Sequence, residues 1–134
     1  MLKRSPMSRR TVDTGPDKKT RKAVAERSGG YCEMRLPGCS GKAVEIAHRV
    51  KRGQGGRHGA ARVENNALPN LLHACHGCHA WTHAHPTDAG QLGLMLQEHQ
   101  DPSVESVCYR GREWLWLTTD GYLSDDAPTP VGVA

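Results

Sequence analysis

Between Asn70 and His83 the chain reads Asn-Leu-Leu-His-Ala-Cys-His-Gly-Cys-His-Ala-Trp-Thr-His. No other stretch limits so strongly what the chain can fold into. Cys75 and Cys78 stand at C-x-x-C spacing, at which a tight knuckle aims two thiolates at one zinc ion. His79 and His83 are four apart. A helix that starts right after the knuckle therefore puts both imidazoles on one face, where they can share a second metal. Asn70 stands five residues before the first of these cysteines.

A zinc knuckle needs two more thiolates to close. Cys32 and Cys39 are separated by Glu-Met-Arg-Leu-Pro-Gly, a longer loop than the usual spacing. Joined to Cys75 and Cys78, they complete a four-thiolate set, the composition of a closed structural zinc site. The competing reading is two buried free cysteines beside one unrelated knuckle. Cys108 is left over, in a β-like run, and reads as a small buried apolar residue.

The chain has 134 residues and no Phe, so its core is thin and a metal staple is the expected remedy. No apolar run is long enough to span a membrane, and no apolar h-region follows the basic N-terminus. The expected setting is the cytoplasm, where five cysteines point to metal rather than to disulfides. The net charge of +4 conceals a gradient. Residues 1–27 carry nine Lys/Arg against three acids, and residues from Glu98 onward carry two against seven. A basic half suits a polyanion, nucleic acid first.

One domain is expected over residues 14–123, with its core at 28–97, between a disordered basic arm (1–13) and a disordered tail (124–134). Pro16 and Asp17 mark a helix start, and Gly29-Gly30 ends that helix near Ser28. Its apolar face is thin (Ala23, Val24). Ala43–His48 reads as a short strand and Leu71–Ala74 as a second. A helix is expected from about Cys78 to Ala84, stopped by Pro86, with one more turn near residues 87–92. Glu105–Arg110 and Trp114–Thr119 read as a β-hairpin, with Trp114 and Trp116 on one face and Leu115 and Leu117 on the other. The segment after His48 is basic and glycine-rich, so its backbone can approach a phosphate closely.

Taken together, Cys32…Cys39, Ile46-Ala-His48, the basic Gly-Gly loop, Asn70-Leu-Leu-His-Ala-Cys75-x-x-Cys78-His79 and Trp81-Thr-His83 resemble the HNH endonucleases, in particular the small HNH proteins of bacteriophages and actinobacteria. The resemblance covers about residues 21–97, and more loosely the hairpin. It implies a small α+β chain with a ββα-metal core, treble-clef-like, stapled by a four-cysteine zinc site and flanked by an N-terminal helix and a C-terminal hairpin. It implies cleavage of DNA phosphodiester bonds. His48 would be the general base, Asn70 would hold the loop and orient His48, and His79 and His83 would ligate one divalent ion (Mg2+, Mn2+, Ni2+ or Zn2+). Arg49, Lys51, Arg52 and Arg57 are then expected to hold phosphates, positioning the duplex without reading its sequence. By the same resemblance the partners are DNA and, in a phage DNA-processing or packaging setting, a terminase.

The chain departs from the family at Ala47, where many members carry Asp or His as a further ligand. Glu45, two residues back on the same strand face, is a poorly placed substitute. His73, His76 and His85 are further candidates, although for each an exposed or structural role is the stronger expectation. A second reading is a zinc-stapled nucleic-acid-binding module without catalysis, which Ala47 favours. A third, a scaffold with zinc only for stability, explains the cysteines but not the histidines.

Overall fold

In the computed structural model, residues 15–50 and 65–128 are described. Helix α1 (Lys18–Ser28) begins where Asp17 caps it, the carboxylate accepting from Thr20 N at 2.8 Å. It ends at Gly29, whose φ of 66° is a left-handed conformation open to glycine. Strands β1 (Glu45–His48) and β2 (Leu71–Ala74) form an antiparallel pair in the register Glu45 to Ala74, Ala47 to Leu72 and His48 to Leu71. A 3-10 turn at Leu68–Asn70 feeds β2. Helix α2 (His76–Ala84) follows one residue after β2, earlier than the sequence suggested, because Cys75 itself caps it, its sulfur accepting from Cys78 N at 3.4 Å. Helix α3 (Pro86–Gln91) starts on a proline, whose missing N–H costs nothing in the first turn.

A second sheet is built from β3 (Val107–Tyr109), β4 (Glu113–Leu117) and β5 (Leu123–Ser124), all antiparallel. The expected hairpin is β3–β4. Its turn runs through Arg110 and Gly111, both at positive φ. The strand β5, at the start of what the sequence suggested was tail, extends it. Leu115 and Leu117 are buried while Trp114 is half exposed, so the alternation falls as the pattern indicates. Cys108 sits opposite Trp114 and is only partly buried, not in the core as expected. The inward partners are Val107 and Tyr109.

One cluster of buried side chains joins the two sheets: Met34, Ala47, Leu72, Ala74, Leu94, Val107, Leu115 and Leu117, with three of the cysteines among them. Two polar devices connect the parts this small core leaves loose. Arg27, in the last turn of α1, makes a bidentate pair with fully buried Glu33, at 2.9 and 2.8 Å. Glu33 also accepts from Tyr109 Oη at 2.7 Å and from the backbone N–H of His73 at 2.8 Å. This one carboxylate therefore fastens α1, β2 and β3 together, with its lone pairs satisfied, as a buried charge requires.

The second device is Arg49. Expected to contact phosphate, it is instead fully buried. Its guanidinium donates to five carbonyl oxygens: Gly93, Pro69, Pro102, Glu105 and Ser106, at 2.9 to 3.1 Å. Burial pulls the group down to about 10, so it stays cationic at neutral pH, solvated by carbonyl dipoles. The residue therefore ties β1 to the segment leading into β3 and is not available to DNA. Lys51, Arg52 and Arg57, the arm at 1–13 and the last six residues of the tail lie outside the described residues. Among the described residues, no helix is long and apolar enough to cross a membrane.

Candidate metal centres

Four sulfur atoms converge where the two knuckles meet. The Sγ atoms of Cys32, Cys39, Cys75 and Cys78 all lie within 4.8 Å of one another. Cys75 and Cys39 are 3.8 Å apart, the edge length of a tetrahedron with Zn–S bonds of about 2.3 Å. The first knuckle is shaped by its backbone. Cys32 N donates to Gly41 O at 2.9 Å, and Gly41, at φ 88°, turns its own N–H to Cys39 Sγ at 3.3 Å. The second knuckle delivers Cys75 N to Cys32 Sγ at 3.3 Å. Such N–H donors favour thiolate over thiol. At Cys75 burial opposes ionisation, but donors from Cys78 and Ser40 outweigh it and bring the thiol down to about 6. At Cys78 burial prevails and the thiol is pushed up. Four thiolates cannot share so small a volume without a cation, so the donor set fits a structural metal such as zinc.

The histidines of α2 form a different arrangement. His79 Nε2 and His83 Nε2 are 3.2 Å apart, one helical turn between them. Two nitrogen ligands of one cation at about 2.0–2.1 Å stand roughly 2.9–3.4 Å apart, so the pair matches half of a coordination shell. His79 Nδ1 meets Glu45 Oε2 at 2.6 Å, and Glu45 Oε1 meets His76 Nδ1, also at 2.6 Å. The hydrogen bond to His76, then that to His79, lowers the Glu45 carboxyl. The same contact raises His76. Glu45 is thus held against two imidazoles, a role that the sequence did not disclose. Ala47, the position where a ligand was sought, is buried in the core. Among the described residues, the four cysteines are the one group of three or more ligand side chains close enough to hold an ion.

His48 closes β1. Its Nε2 lies 2.7 Å from Asn66 Oδ1, a partner missed because nothing in the sequence marks Asn66. Asn70 is buried and works as a clamp. Its Oδ1 accepts from Val50 N at 2.8 Å and its Nδ2 donates to Asn65 O at 2.7 Å. It therefore fixes the backbone immediately after His48 to the segment that carries Asn66. Two further histidines have structural partners. His73 Nδ1 meets Ser28 Oγ at 2.6 Å, and His85 stacks on Trp81 at 4.7 Å. A groove of about 560 Å³ opens beside His83, lined also by Thr87, Gln91, Met95 and Gln97. Comparison of the chain with protein-family models, curated proteins and solved structures finds no match.

Proposed function

We propose that this protein is a metal-dependent DNA endonuclease of ββα-metal architecture. The observation that carries the reading is the His79–His83 pair, with the two Nε2 atoms 3.2 Å apart on a helix that starts at the thiolate knuckle. The succession β1, β2, α2 and the clamp made by Asn70 support it.

A divalent cation on His79 and His83 would supply positive charge to the pentacovalent phosphate and to the leaving 3′-oxygen. The chain supplies the base. Asn66 Oδ1 lies 2.7 Å from Nε2 and holds the imidazole of His48 at the end of β1. That imidazole takes the proton of the attacking water, a contribution on the order of 10²–10⁴ in rate. Asn70 keeps His48 in place by tying the backbone that follows it, at Arg49 and Val50, to the segment that carries Asn66. With Arg49 buried, phosphate binding falls to Lys51, Arg52 and Arg57, directly after β1.

The test is incubation of plasmid DNA with Mg2+, Mn2+, Ni2+ or Zn2+, beside a His48→Ala control. Cleavage by the wild-type chain that disappears in the control is expected. Cleavage that survives the substitution removes His48 as the base. A second reading, a zinc-stapled nucleic-acid-binding module, is favoured by buried Ala47, which offers the histidine pair no ligand. Retardation of DNA with no cleavage under any of these metals would select it.

A further inference from the structure

We propose that Glu45 is a positioning residue for the metal pair, holding the proton of His79 on Nδ1 so that Nε2 presents its lone pair toward His83 and the cation. This rests on the proposal that His79 and His83 hold a divalent ion.

A carboxylate accepts and does not donate once ionised. With Glu45 Oε2 at 2.6 Å, His79 Nδ1 must be the protonated nitrogen and Nε2 the bare one. Nε2 is the atom that faces His83 at 3.2 Å. Which ring nitrogen of a histidine binds metal is set by the hydrogen bond the other makes, and ligating histidines commonly donate to a carboxylate in this way.

The fold places Glu45 for the task. It pairs with Ala74 across the sheet, the residue just before Cys75, so its carboxylate reaches the first turn of α2. His76 and His79 are three apart on that helix and share a face, so one carboxylate spans both. His76 thereby occupies Oε1 and keeps the carboxylate from rotating. A purely structural purpose is a poor account of the contact. The start of α2 is already fixed by Cys75, and an ion pair with one-third of the carboxylate side chain exposed adds little to stability.

The experiment uses the full chain, its thiolate site loaded with zinc and its histidines labelled with ¹⁵N. Long-range ¹H–¹⁵N spectra near neutral pH should show His79 protonated on Nδ1 in the wild type. In Glu45→Ala that preference should be lost. Calorimetric titration with Ni2+ should show Glu45→Ala binding about 10–100-fold more weakly. Glu45→Gln, of the same shape but with a neutral acceptor, should fall between the two, and it carries the comparison if the alanine variant does not fold. A wild-type His79 protonated on Nε2, or variants that bind Ni2+ within about two-fold of the wild type, would overturn the role of Glu45. No binding of Ni2+ to the wild-type chain would overturn the metal reading itself, and the inference with it.

Discussion

Replacing Arg49 by methionine keeps an unbranched side chain as far as the position of Nε and removes the charge and every donor. The five carbonyls around it belong to the backbone and stay where they are. Those of Gly93 and Pro69 meet the guanidinium in fully buried hydrogen bonds, whereas those of Pro102, Glu105 and Ser106 are only partly buried and can turn to water. Each buried carbonyl left without a donor costs about 1–3 kcal/mol. Two of them, with some loss from the other three, give a destabilisation of about 3–5 kcal/mol, offset in part because a buried cation no longer has to be desolvated. A small domain with a total stability of about 5–15 kcal/mol would lose a large part of it. Lysine has three donors in place of five and should lose about 1–3 kcal/mol. The assay is urea unfolding of the zinc-loaded protein, followed by Trp fluorescence. Beside it, DNA affinity is measured across a salt series at temperatures where each variant is folded. The expected result is a lower unfolding midpoint with an unchanged salt slope. A midpoint within about 1 kcal/mol of wild type, together with a shallower slope, would refute the reasoning and return Arg49 to the phosphate backbone.

Further outcomes follow from other parts of the molecule. With zinc bound, an alkylating reagent should modify only Cys108 of the five cysteines, and after strong chelation all five, as counted by mass spectrometry. Chelation should also abolish the cooperative unfolding transition, because the binding energy of a structural zinc, about 10–16 kcal/mol in small zinc peptides, is folding energy. Gly93→Ala should cost about 2–4 kcal/mol by thermal unfolding, since its φ is +72° and a Cβ there would lie 2.3 Å from the backbone oxygen of Ser106. Tyr109→Phe removes one donor from the buried Glu33 carboxylate and should cost about 1.5–3 kcal/mol, whereas Glu33→Ala strands Arg27 and should cost about 3–5 kcal/mol.

Local chemistry carried most of what the sequence disclosed. Asp17 and Gly29 bracket α1 because a cap and a left-handed residue act within a few positions of chain. The cysteines converge as their number and knuckle spacing imply, and the alternation of Trp114 to Leu117 sets the faces of β4. What stayed hidden depends on distant segments. Arg49 stands at the head of a basic run and looks like part of it, but the carbonyl cup that buries it comes from residues 69, 93, 102, 105 and 106. Glu33 lies inside a knuckle loop, where an acid normally signals exposure, and its buried partners are Arg27, Tyr109 and the backbone of His73. Glu45 reads as a poorly placed substitute for the ligand missing at Ala47, and its contact with His76 and His79 shows only once α2 is docked against it. Asn66 belongs to a turn whose only signal is its polarity. The composition correctly signals a thin core, but not that a buried ion pair and a carbonyl-bound cation would reinforce it.

The capping of α2 by Cys75 imposes an order of assembly. A nine-residue helix has too few turns to persist alone in water, so α2 exists only when its first turn is pinned. The pin is the sulfur that also belongs to the four-thiolate cluster. His79 and His83 approach one another only on the formed helix, since four residues of unstructured chain leave their rings at no fixed separation. Filling of the cysteine site is therefore upstream of any event at the histidines. On the proposed reading, a chain short of the structural metal would hold its histidines in disarray and a loaded one would present them as a pair, so filling of the cysteine site would have to come before an ion at the histidines.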